Sequence, residues 1–465
     1  MKKINNTINK DKELKKLAEA IESLFKLLND QLEKIKPEDI LNEMGMNNHA
    51  FTRDRKITIP LIIKFVFLFS VSGHKKSILS TNFSLWEYLE LNSNAPSRQA
   101  MSAAIKNISI EKVEKILLGL EYDFSSHHIK TFHGKKVYTV DGTRCNLPRN
   151  AETLEKYGCA QSGKIFSHFP QANILAFHEL GTNVIKNIIM GKAISSERKL
   201  LLDSLERLEL GSIVVCDCGF YSSALAWLIE KMGYFYVIRV NEYMARNLLS
   251  SITFVKDTAV IDMLITKTIK NDYETYEKNF PTTVKVRIIR IRGNTRGRRG
   301  VYIMTNLWEA TNKEIGDLYW DRQRIEDCFK YKKCYGGMEK IHTNSGLHLI
   351  EFAILGTIGY HNLMQLVLSK IMKTPKPNEN KQYVLNRKVA WENVLPQFFL
   401  FSKNGIVKND FVQLLLRSKN IIRVGRYSPR VLKQPSRKFH KRKANNKNCD
   451  DRILNAQVVA KSNIA

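Results

Sequence analysis

Acidic residues are scarce in this chain. Its 465 residues hold 45 Asp and Glu against 74 Lys and Arg, a formal charge of +29 at pH 7. Such an excess repels itself, and a polyanionic partner relieves it. Nucleic acid is the first candidate and an anionic membrane surface the second. Paired cysteines are also lacking. The seven cysteines form no C-x-x-C pair and no His/Cys cluster at zinc spacing. That excludes a zinc-finger framework and predicts free thiols in a reducing compartment. The start of the chain is Lys/Asn-rich and has no secretory apolar region. The longest apolar run, residues 349–367, carries Glu351, His361 and Gln365. It predicts a buried core helix rather than a membrane span. No internal repeat is present. The chain is expected to be a cytoplasmic protein with no membrane partner.

A hydrophobic content of 43% is enough for a folded protein of two to four domains. Residues 11–36 repeat Leu14, Leu17, Ile21, Leu24, Leu28 and Ile35 at helical spacing, with Pro37 as the stop. Further helices are expected over 57–120. Within them Asn92-Ser93-Asn94-Ala95-Pro96 breaks the pattern, and Ser97 is a good N-cap for the helix that follows. Arg98 and Gln99 open that helix, where a helix-turn-helix places its DNA contacts. An ordinary helical bundle shows the same pattern.

From Lys135 the pattern changes to strands. Val137-Tyr138-Thr139-Val140 is β-branched and aromatic and ends in Asp141-Gly142-Thr143. Two more strands flank Gly181-Thr182-Asn183, a helix is capped by Ser195 or Ser196, and Ile213-Val214-Val215-Cys216 ends in Asp217. A helix from Ser223 leads to a strand over 234–240. The order β-β-β-α-β-α-β predicts a mixed sheet flanked by helices. Residues 241–305 interrupt it with further strands. Residues 292–300 form a Gly/Arg loop without acid, in which Arg292, Arg296, Arg298 and Arg299 are candidate phosphate contacts. After a long apolar helix over 344–371, a Lys/Pro/Asn linker leads to more helix. Residues 421–449 contain ten Lys/Arg and no Asp or Glu, and are expected to be disordered and attracted to nucleic acid.

Residues 319–333 carry the densest chemistry. On a helix at about 100° per residue, Tyr319, Arg322, Glu326 and Lys333 share one face, beside an apolar stripe of Leu318, Ile325 and Phe329. A carboxylate with two cations and a phenol suits a metal-bound, phosphate-handling site, although a solvated charged face would read the same way. Asp141 and Asp217 each follow a strand expected to be central, with a glycine close behind. Singly, each reads as a turn former. Together with Glu326 they could bind two divalent metals about 3.5–4 Å apart for in-line attack at phosphorus. Carboxylate ligands favour Mg²⁺, with Mn²⁺ as substitute.

The spacing Tyr319-x2-Arg322-x3-Glu326-x6-Lys333 resembles the Y-(2)-R-(3)-E-(6)-K signature of the insertion sequence 4 group of bacterial DDE transposases. Asp141-Gly142-Thr143 and Asp217-x-Gly219-Phe220-Tyr221 are similar to that family's first two acid motifs, and Ser97-Arg98-Gln99 to an N-terminal motif of the group. The resemblance covers roughly residues 95–370. It implies an α/β RNase H-like mixed sheet with flanking helices, a β-rich insertion and an all-α N-terminal region. It implies that Asp141, Asp217 and Glu326 bind the metals, and that Tyr319, Arg322 and Lys333 hold DNA phosphates near the cleaved end. The implied reaction is hydrolytic nicking at the element ends followed by 3′-hydroxyl strand transfer into target DNA. The implied partners are double-stranded DNA, as terminal inverted repeats and target, and a second copy in a homodimer on that DNA. Expected boundaries are 1–130 (helical DNA-binding and dimer contact), 131–240 and 306–371 (catalytic core), 241–305 (insertion), 372–420 (helical) and 421–465 (basic tail). An inactive DNA-binding copy and a metal-dependent nuclease without strand transfer are the alternatives.

Overall fold

The computed structural model describes residues 2–52, 56–71, 77–91, 93–119, 131–162, 165–292, 300–322, 338, 346–371 and 383–421. The first part is helical: α1 (Lys2–Glu33), α2 (Ile59–Val71), α3 (Ile78–Leu89), α4 (Arg98–Lys106) and α5 (Ile110–Gly119). The first helix ends at Glu33, ahead of Pro37. Pro37 instead opens the short helix Pro37–Ile40, where its missing N–H costs nothing. Ser97 caps α4 as expected, accepting from the backbone N–H of Ala100.

The middle of the chain builds one nine-stranded sheet. Its main strands are β1 (Lys135–Asn146), β2 (Gln171–Glu179), β3 (Ile185–Gly191), β4 (Ile213–Cys216), β5 (Phe235–Arg239), β6 (Thr258–Leu264), β7 (Thr283–Ile291) and β8 (Val301–Thr305). The order across the sheet is β3-β2-β1-β4-β5-β8-β7-β6. The turn between β2 and β3 uses positive φ at Gly181 (101°) and Asn183 (59°), the two residue types that accept it most readily. β1, β4 and β5 run parallel, and every other neighbouring pair is antiparallel. The strands of 241–305 therefore extend the same sheet, because β8 pairs with β5 along its free edge.

Helices cover both faces. On one, Val140, Cys216 and Ile238 pack in a cluster with Leu201 and Leu205 of α7 (Glu197–Leu205) and Leu225 and Leu228 of α8 (Ser223–Lys231). These helices follow the seven-residue α6 (Ala151–Tyr157) along the chain. On the opposite face, Val137, Ile213, Val215, Val237 and Ile303 meet Ile315, Leu318 and Tyr319 of α9 (Asn312–Asp321). Each such apolar side chain contributes about 1.5–3 kcal/mol on burial.

Further along that second face, Ala172, Ile174 and Ala176 of β2 join the cluster of α10 (Gly346–Ile371). This helix is apolar almost all round, as a helix enclosed by others must be. The same cluster takes in α1 to α5 and the terminal helices α11 (Arg387–Asn404) and α12 (Asn409–Arg417). Among the described residues, no helix is long and apolar enough to cross a membrane.

Candidate active site

The parallel strands determine the site. Thr139 lies opposite Val215, so two residues further Asp141 lies opposite Asp217. Side chains at paired positions share a face, and adjacent strands are about 4.8 Å apart. Asp141 has the parity of Val137, and Asp217 that of Val215, so both point to the face covered by α9. The sequence reading ended the first strand at Asp141. In fact β1 runs on to Asn146, because its antiparallel partner β2 continues beside it, with Asp141 opposite Ala176. What stops at this level is β4, and its end leaves room on the parallel side.

Backbone donors orient both carboxylates. Asp141 Oδ1 accepts from the Gly142 N–H at 3.0 Å, and Asp217 Oδ1 accepts from the Gly219 N–H at 2.8 Å. Asp217 caps the 3₁₀ turn Cys218–Phe220 in doing so. The second oxygen of Asp141 faces the guanidinium of Arg322, Oδ2 to Nη1 at 3.8 Å. Burial pushes the Asp141 carboxyl up to about 7, Arg322 opposes that shift, and the carboxylates of Asp217 and Glu197 add to it.

Glu197 and Arg198, the first two residues of α7, were not singled out from the sequence. Each touches the glycine of one acid motif. The Glu197 carboxylate packs on Gly142 so closely that a Cβ there would overlap it. The Arg198 Nε–H donates to the Gly219 carbonyl at 2.8 Å. Arg198 also bonds the buried Tyr273, as does Ser222. The one available signal was the expected helix cap at Ser195 or Ser196, which places both residues at a helix start.

The helix-borne tetrad is only partly visible. Glu326 and Lys333 lie outside the described residues, as do Arg296, Arg298 and Arg299. The helix α9 ends at Asp321 with Arg322 as its cap. Arg322 stands against Asp141 of the acid pair. Tyr319 departs from the expectation that it faces DNA: it is 3% exposed and belongs to the cluster beneath the sheet. The helix turns it onto the face of Leu318, and its ring lies under the Arg322 guanidinium at 5.7 Å. Arg98 and Gln99 are exposed at the start of α4. Arg292 is exposed too, and pairs with Asp257 at 3.0 Å.

The arrangement suits a hard divalent cation. Two carboxylates stand side by side, each with one oxygen held by a backbone N–H, and their repulsion calls for positive charge. Among the described residues no group of three His, Cys, Asp or Glu side chains closes a metal site.

Residues 132–363 match the family model described as Transposase DDE domain. The chain carries a DDE transposase domain and is a DNA transposase. That matched span holds both aspartates, Arg322 and the whole nine-stranded sheet but for part of its edge at Thr131. A DDE domain implies dependence on divalent metal. A curated relative from Escherichia coli (strain K12), named "Putative transposase InsZ", is 24% identical over 204 residues, covering 43% of the transposase and 67% of that relative. Among solved structures, a cryo-EM structure of the piggyBac transposase synaptic complex with hairpin DNA is similar over 93% of this chain and 84% of its own, at 12% identity and a TM-score of 0.41.

Proposed function

We propose that this transposase moves an insertion sequence of the insertion sequence 4 group by cut-and-paste transposition. The observation that carries the reading is the in-register pair Asp141 and Asp217, on one face of adjacent parallel strands, with Arg322 against Asp141. The strand order β3-β2-β1-β4-β5, with β1, β4 and β5 parallel, supports an RNase H-like core. Asp141 and Asp217 hold Mg²⁺, or Mn²⁺ in its place, together with Glu326, whose role rests on the tetrad spacing. Bound divalent ions would supply Lewis acidity at the phosphate and lower the pKa of the attacking water or 3′-hydroxyl. Arg322 and Lys333 hold DNA phosphates, and Tyr319 supports Arg322 from below. Arg98, Gln99 and the arginines of 292–299 contact duplex DNA further out.

The substrate is double-stranded DNA: two terminal inverted repeats, then a target, gripped by a homodimer in the cytoplasm. The chain's own residues orient the two carboxylates and position the phosphodiester. A hydrolytic nick at each element end is followed by attack of the freed 3′-hydroxyl on target DNA.

The test uses purified protein, paired duplexes carrying the inverted repeats that flank the coding sequence, Mg²⁺ and a supercoiled target. Joined products are expected. Cutting without joining would indicate a nuclease, and binding alone an inactive copy. Glu326→Ala should abolish Mg²⁺-dependent cleavage; wild-type cleavage by that variant would remove Glu326 from the site.

A further inference from the structure

The row of functional groups does not end at Asp217. Cys216 of β4 pairs with Ile238 of β5, so the next residues, Asp217 and Arg239, lie opposite one another. Arg239 is still held in the sheet, because on its other side it pairs with Ile303 of β8. Its parity is that of Val237, which packs toward α9 along with Ile303. Three consecutive parallel strands therefore present Asp141, Asp217 and Arg239 in one line on one face. The order along the strands is Asp141, Asp217, Arg239, and Arg322 stands against Asp141 from α9.

We propose that Arg239 is a substrate-binding residue that grips a DNA backbone phosphate beside Asp217. The inference rests on the transposase reading of the site. Its side chain is ready for an anion. The Arg239 Nε–H is buried and has no hydrogen-bond partner. Its carboxylate partner is Glu242, three residues along the chain and 3.8 Å from Nη2. The side chain is 38% exposed, so the rest of the guanidinium can be reached from outside. The part of the guanidinium that is exposed carries further N–H donors, and these can donate to a phosphate oxygen. The planar fork of Arg matches two phosphate oxygens at once. On the strand row Arg239 stands on the side of Asp217 away from Asp141, the carboxylate that Arg322 faces.

The test compares the full-length protein with Arg239→Gln and Arg239→Lys, on duplexes carrying the flanking inverted repeat. Cleavage is measured in single turnover with Mg²⁺, and binding by fluorescence anisotropy in EDTA. Each phosphate near the cleaved position is replaced in turn by a neutral methylphosphonate. Arg239→Gln is expected to slow cleavage by about 10²-fold, in the range seen when a positioned charge at a reacting centre is removed. It should also weaken binding without shifting the melting temperature, and Arg239→Lys should recover part of both losses. At one methylphosphonate position wild type and Arg239→Gln should become equal, because the charge that Arg239 grips is gone. If Arg239→Gln does not fold, the same cycle is run with Arg239→Lys.

Cleavage and binding by Arg239→Gln at wild-type levels would overturn the proposal. So would a defect of equal size at every methylphosphonate position, which would make Arg239 a structural residue. Asp217→Asn separates this failure from failure of the site itself. A dead Asp217→Asn beside a wild-type Arg239→Gln overturns only the role of Arg239. An active Asp217→Asn overturns the reading of the acid pair.

Discussion

Gly142 shows how one absent side chain serves this site. Glycine in a strand interior weakens it, yet here the Glu197 carboxylate occupies the space a Cβ would fill. Gly142→Ala must push Glu197 away or bend β1 beside Asp141. Because the clash is with the far end of a flexible side chain, a cost at or below the low end of about 1–3 kcal/mol is expected, with reduced cleavage. Trimming the neighbour in the double variant Gly142→Ala, Glu197→Ala should return most of the lost stability. Chemical denaturation of the four proteins in that cycle measures it. Additive losses would show that the two residues do not compete for space. The acids themselves were legible in the sequence, because a strand-like run ending in Asp with a glycine just after it is a local pattern. The approach of Glu197 was not, because 54 residues separate it from Gly142 along the chain and only the tertiary fold brings them together.

Helix α9 joins the sheet to the site. Ile315, Leu318 and Tyr319 anchor it, and its C-terminal cap delivers Arg322 to Asp141. The spacing of the tetrad says only that Tyr319 and Arg322 lie on one side of a helix. Which part of that side meets the sheet depends on where the sheet's apolar residues are, and so Tyr319 is buried. Tyr319→Phe is expected to keep stability within about 1 kcal/mol, since the ring is retained. Tyr319→Ala should lose about 3–5 kcal/mol, as for other buried aromatics, and cleavage with it. A large cleavage defect in Tyr319→Phe at unchanged stability would instead assign the hydroxyl a direct role at the DNA.

Helix α10 carries a titratable contact of its own. His348 Nε2–H donates to the Ile105 carbonyl at the end of α4, at 3.0 Å. Desolvation holds its pKa below the ordinary value, more strongly than the Ile105 and Ile108 carbonyls raise it. A histidine with a depressed folded pKa binds fewer protons in the native state than in the unfolded one. Its contribution is therefore present above the unfolded value of about 6.5 and is lost as pH falls from there through the lower folded value. Melting temperature should decline on acidification below that point, and less steeply in His348→Gln. Equal slopes in the two proteins would remove His348 as the cause.

At the scale of the whole molecule, positive charge is the dominant property. A formal charge of +29 on 465 residues calls for a polyanion. DNA affinity should fall linearly with salt on a log–log plot, with a slope near −0.9 for each phosphate neutralised. Arg98→Gln should lower the magnitude of that slope by about one if it contacts a phosphate. Anisotropy titrations at several salt concentrations read this directly. An unchanged slope would place Arg98 off the DNA.

The sequence alone determined most of the element order of the catalytic segment, but not the seven-residue helix α6 between β1 and β2. The strand at Ile213–Cys216 was legible to the residue, because a four-residue apolar run between Gly211 and Asp217 is too short for a buried helix. It also determined the charge balance and the two acid motifs, which are local properties of composition and spacing. Tertiary structure decided what depends on register. It put Asp141 opposite Asp217, continued β1 past the first acid, attached β8 to the edge of β5, and turned Tyr319 inward. It also aligned Arg239 with the acids. A slip of one residue reverses the face of every side chain in a strand. No local pattern carries that information; it comes from the strands that pair and the faces they bury.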